Sequence, residues 1–87
     1  MTTASHRSFT RNRCADLDLQ LGTRVRTTRK TQGMSQAYLA DRIGCSFQQV
    51  QKYESGANRL SVGTLLRISK AFGMKLEDFT HGLEDLV

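Results

Sequence analysis

The chain has 87 residues, with 13 Lys+Arg against 8 Asp+Glu and a formal charge of +5. That length allows one small domain, and two Cys are too few for a disulfide scaffold, a usage that suits a reducing compartment. No apolar run approaches the roughly 18 residues of a bilayer span, and the basic N-terminus lacks the apolar stretch of a secretory signal. The positive charge sits early. Residues 1–15 hold Arg7, Arg11 and Arg13 with no acid, whereas residues 61–87 set Glu77, Asp78, Glu84 and Asp85 against Arg67, Lys70 and Lys75. A molecule with a basic side and an acidic end can orient on a polyanion.

Residues 1–15 are rich in Ser, Thr and Arg and carry no aliphatic periodicity, so they read as a disordered basic tail. Residues 16–87 read as the folded domain. Leu17, Leu21, Val25 and Thr28 recur at helical spacing, which predicts a first helix from about Leu17 to Gln32. Asp16 and Asp18 then stand at its positive end, and Gly33 stops it. Ser35 is an N-cap for a second helix, Gln36 to Ile43. Gly44 follows, and Ser46 with Gln49 makes a capping-box pattern before a third helix, about Phe47 to Glu54. Ser61 caps a fourth, about Val62 to Phe72, with Leu65, Leu66, Ile68, Ala71 and Phe72 as its apolar members. Leu76, Phe79 and Leu83 predict a fifth. No useful period-2 run occurs, so the fold class is all-α: a compact five-helix domain containing a helix-turn-helix, with a flexible N-terminal tail.

The informative element is the pair of short helices around Gly44-Cys45-Ser46. Leu39, Ile43, Cys45, Val50 and Tyr53 can all face inward. Ala40 is small enough for close approach, and Gly44 can take positive φ at the turn. Val50 then wedges into the angle between two steeply crossed helices.

The runs Gly33-Met34-Ser35-Gln36-Ala37-Tyr38-Leu39-Ala40, Ile43-Gly44-Cys45-Ser46 and Val50-Gln51-Lys52-Tyr53-Glu54-Ser55-Gly56 resemble the Cro and phage-repressor type helix-turn-helix family, the xenobiotic-response-element-like regulators. The likeness covers about residues 19–80. It implies a bacterial, sequence-specific regulator of double-stranded DNA whose third helix enters the major groove, with repression as the expected sign. It places Ser46, Phe47, Gln48, Gln49 and Lys52 on the groove face. Gln suits adenine, Lys suits guanine or phosphate, and an aromatic at Phe47 suits a thymine methyl. Phe47 stands where many relatives carry a polar base reader. Gln36 is implied at a phosphate, steadying the first reading side chain, and Asn58 and Arg59 at backbone phosphates. Arg29 and Glu54 match a partly buried structural ion pair. Tyr38 departs from the acid that would complete a capping box with Ser35.

Several features stay open at this level. Taken alone, Phe47 to Lys52 is an ordinary solvated helix face. Arg7, Arg11 and Arg13 fit either a DNA-contacting arm or a solubilising tail, and Arg24, Arg26 and Lys30 fit a wet helix face. Cys45 reads as a small core residue. Cys14 and Cys45 lie 31 apart without paired ligands, so neither a metal nor a cofactor is expected. No phosphate-loop, dinucleotide or nucleophile-elbow motif occurs, so no enzyme is expected. The apolar residues Leu76, Phe79 and Leu83 suggest a homodimer through the C-terminal segment, which suits a palindromic operator. The alternative is an antitoxin or adaptor module of the same fold whose main partner is another protein. A cytoplasmic location, on the nucleoid when bound to DNA, is expected for the regulator.

Overall fold

The structure, a computed structural model, describes the backbone of residues 3–86 and the side chains of residues 16–86. The expected tail residues Arg7, Arg11 and Arg13, with Cys14, have their side chains outside the described set. Five α-helices and no strand occur among the described residues: α1 (Thr3–Thr31), α2 (Gln36–Ile43), α3 (Phe47–Ser55), α4 (Val62–Ala71) and α5 (Leu76–Phe79), followed by a 3-10 turn at Leu83–Leu86. None of these helices is long and apolar enough to cross a membrane.

The three predicted serine caps are formed. Ser35, Ser46 and Ser61 each have extended backbone, and each hydroxyl accepts the N–H three residues on, from Tyr38 at 3.0 Å, Gln49 at 3.1 Å and Thr64 at 3.1 Å. Each bond satisfies one of the orphan donors of a first helical turn. The Ser35 cap therefore holds even with Tyr38 in place of an acid.

The two ends differ from the sequence expectation. The α1 backbone is helical from Thr3 rather than from Leu17. No Gly or Pro precedes Gly22, so nothing in residues 3–16 forbids the helical path. Asp16 and Asp18 consequently lie within the helix, not at its positive end. The fifth helix stops at Phe79 instead of reaching Leu83. Thr80 donates its hydroxyl to the Leu76 carbonyl at 2.9 Å, and Gly82 at φ 85° turns the chain into the 3-10 segment.

The core joins Val25 of α1, Leu39, Ala40 and Ile43 of α2, Val50 of α3, and Ile68, Phe72 and Phe79 beyond. The Phe72 and Phe79 rings meet at 5.8 Å between centroids with a 48° tilt. α1 packs along α3, α2 lies against α3 and α4, and the 3-10 turn comes back onto α1. Two long-range side-chain ties fasten the chain ends of the later helices. Arg24 donates to the carbonyls of Phe79 at 3.0 Å and His81 at 2.6 Å, and Gln32 donates to the Phe72 carbonyl at 2.9 Å. Cations and donors at helix C-termini satisfy free carbonyls and favour the dipole. Arg24 is thus a tie between α1 and α5, not merely part of a wet face.

Candidate nucleic-acid interface

The turn between α2 and α3 is built from local chemistry. Gly44 takes φ 76° and ψ 35°, a conformation costly for any residue with a Cβ. This lets the Cys45 N–H return to the Ala40 carbonyl at 3.0 Å, closing α2. Cys45 is half-buried against the core, and burial pushes its thiol above the ordinary range. Ser46 then starts α3. Along α3, Val50 and Glu54 are buried, i and i+4 on one face.

The opposite side of α3 is open. Phe47, Gln48, Gln51 and Lys52 are exposed, with exposed Ser46 at the cap, while Gln49 is half-buried. Gln48, Gln51 and Lys52 fall at i, i+3 and i+4, so they share one face. Gln51 belongs to that face although its place in the motif does not single it out; its spacing from Gln48 is the signal. The result is a donor- and acceptor-bearing strip with one aromatic at its N-terminal end. All five residues expected on the groove face lie on the α3 cap or on α3 itself.

Below that strip sits a buried polar cluster. Arg29 is 7% exposed and Glu54 6%. The guanidinium grips the carboxylate at two points, Nε to Oε2 at 2.6 Å and Nη2 to Oε1 at 3.1 Å. Arg29 Nη1 also donates to the Met34 carbonyl at 2.7 Å. Gln36, at the first position of α2, donates from Nε2 to Glu54 Oε1 at 3.0 Å. The cluster therefore ties α1, the α1–α2 turn, α2 and the end of α3 together. The close approach of α1 to that end of α3 depends on Gly22. A Cβ there would run into the Tyr53 carbonyl oxygen and come within 2.7 Å of the Glu54 carbonyl oxygen. Nothing in the local sequence marks Gly22 for this role, because the constraint is tertiary.

Asn58 and Arg59 are exposed in the segment after α3. The backbone N–H groups of Ala57 and Asn58 both return to the Lys52 carbonyl. Arg59 Nε meets Asp18 Oδ2 of α1 at 3.1 Å, with the Arg59 side chain 77% exposed. Thus Gln36, Ser46, Phe47, Gln48, Lys52, Asn58 and Arg59 are all at least partly accessible, but Gln36 and Arg59 each have a carboxylate partner within the chain.

The residues expected at a dimer face are largely covered within the domain. Phe79 and Leu83 are buried in the domain's own core, and Leu76 is half-buried. Phe79 packs into the core cluster with Ile68 and Phe72, so of the three only Leu76 stays partly accessible. The large apolar side chains that do stand out include Val62 at 66% and Leu66 at 51%, four apart on one side of α4. No group of three or more His, Cys, Asp or Glu is gathered among the described residues.

The chain as a whole is similar to known proteins. The helix-turn-helix family pattern matches residues 25–79, more than half of the chain. The chain belongs to the helix-turn-helix family. Among its relatives is the transcriptional regulator y4aM of Sinorhizobium fredii, 45% identical over 69 residues, which cover 79% of this chain and 48% of that protein. A second regulator of the same organism, y4wC, is 50% identical over 62 residues, 71% of this chain and 43% of that protein. A transcriptional regulator in the ATPase CF(0) region of Rhodospirillum rubrum is 46% identical over 68 residues, 78% of this chain and 63% of that protein. The helix-turn-helix chain therefore spans about half the length of several curated relatives it matches. The crystal structure of the restriction-modification controller protein C.AhdI from Aeromonas hydrophila superposes with a TM-score of 0.70 at 29% identity, over 76% of this chain and 94% of that one. The family is one of transcriptional regulators, not of enzymes.

Proposed function

We propose that this helix-turn-helix chain binds double-stranded DNA in a sequence-dependent way, with α3 in the major groove, and acts as a transcriptional repressor in the cytoplasm. The observation that carries the reading is the open α3 strip of Gln48, Gln51 and Lys52 on a helix whose other face is pinned by Val50 and Glu54. A rigid helix with amide and ammonium groups outward has the chemistry of base-edge recognition. Asn58 and Arg59 flank it as phosphate contacts that set register. Phe47 at the entry of the helix offers an apolar surface to a thymine methyl.

The same reading makes the functional unit a homodimer on a palindromic operator, with two α3 helices about 34 Å apart. The exposed Val62 and Leu66 on α4 support a protein-contacting face away from the buried C-terminal residues. That pair is also what an antitoxin or adaptor reading would use. Selection of bound sequences from random DNA, followed by binding titrations across salt, tests the proposal. A dyad motif with half-sites one helical turn apart, and affinity falling steeply with salt, is the expected result. Absence of any enriched sequence, or a flat salt dependence, would overturn it.

A further inference from the structure

The buried cluster under α3 also reaches a residue that is partly open to solvent, Gln36. Arg29 donates one hydrogen bond to each oxygen of Glu54, which leaves lone pairs free on both. Glu54 Oε1 also accepts from Gln36 Nε2 at 3.0 Å, across the α2–α3 junction. An ionised carboxylate has no proton to give, so the end of the Gln36 amide that meets it must be the NH2 group. The orientation of the amide is thereby fixed by chemistry: its carbonyl oxygen lies away from Glu54, and one hydrogen of Nε2 is committed.

We propose that Glu54 is a positioning residue for DNA binding, holding the Gln36 amide so that its second N–H is presented to a DNA phosphate. A glutamine has three side-chain torsions to freeze on binding. Here the freezing is done in the free protein, because Glu54 is buried and clamped by Arg29. A donor aimed in advance forms a charge-assisted bond with a phosphate oxygen at little entropic cost. Gln36 is half-buried at the first position of α2, so the same corner also carries the orphan backbone N–H groups of that helix start. The buried ion pair thus acts at the surface through one amide. The inference rests on the DNA-binding reading above.

The test is a mutant cycle in three backgrounds, using a DNA site recovered by selection. The first background is the parent chain. The second, Arg29→Met with Glu54→Gln, keeps a side-chain acceptor for Gln36. The third, Arg29→Met with Glu54→Met, has none. Both double variants remove the charges together, so no ion is left buried alone, and thermal melts establish that each is folded at the assay temperature. Gln36→Ala is expected to weaken binding about tenfold in the parent and in the acceptor-keeping background, and less than about twofold in the acceptor-free one. An equal loss in all three backgrounds overturns the proposal, since Gln36 would then act without Glu54. So does no loss in the parent where Lys52→Ala does weaken binding, a result that leaves the DNA-binding reading standing. Failure of the parent chain to bind any selected DNA removes the underlying reading itself.

Discussion

Two arginine–carboxylate pairs join α1 to the region of α3, and they differ in almost everything but their chemistry. Arg29 and Glu54 are buried, gripped at two points and shared with Gln36. Arg59 and Asp18 meet at one point, 3.1 Å apart, with the arginine largely in water. A buried pair holds because leaving either ion alone in low dielectric is costly; an exposed pair is screened and readily replaced by another partner. The first pair therefore ties α1 to the end of α3, and on the DNA-binding reading proposed above the second is a holding place from which Arg59 passes to a phosphate.

The largest effects come from breaking the buried pair on one side. Glu54→Ala or Arg29→Ala is expected to lower unfolding stability by about 3–5 kcal/mol, measured by chemical denaturation. Replacing both by Met should recover most of that loss, since two apolar side chains need no partner. If the two single variants were as stable as the parent, the cluster would be no more than a surface pair. Next comes the approach that makes the cluster possible. Gly22→Ala puts a methyl against the backbone carbonyls of Tyr53 and Glu54, and backbone cannot swing aside as a side chain can. A loss of about 1–3 kcal/mol is expected in the same measurement. A smaller effect belongs to Ser46→Ala, which removes the hydroxyl accepting the Gln49 N–H and should cost about 1 kcal/mol.

These sites were not equally legible in the sequence. Ser35, Gly44 and Ser46 announce the helix-turn-helix because caps and left-handed turns are local: the residue type and the geometry sit within four positions of each other. The bounds of α2 follow from them directly. Gly22 carried no such signal, since its neighbours are the backbone carbonyls of Tyr53 and Glu54, far along the chain. The C-terminal apolar residues are ambiguous in sequence for a different reason. The spacing of Leu76, Phe79 and Leu83 shows that they face something apolar, and is the same whether that is the chain's own core or a second copy. The structure assigns Phe79 and Leu83 to the core. Arg24 fitted a wet helix face because its acceptors are carbonyls of a distant helix end.

The smallest stability effect is the sharpest test of the contrast between the pairs. Asp18→Asn and Arg59→Ala should each change stability by less than about 1 kcal/mol, because the pair is exposed and singly bonded. Their effects on DNA binding should nevertheless be opposite. On the proposed phosphate role of Arg59, Arg59→Ala should weaken all sequences alike and reduce the salt slope by about 1. Asp18→Asn removes a competing anion from beside Arg59 and should strengthen binding modestly, most visibly at low salt where screening is weak. A single titration series across salt reads both. If Asp18→Asn weakened binding instead, the exposed pair would be orienting Arg59 for the phosphate as Glu54 orients Gln36, and the two pairs would differ in burial but not in role.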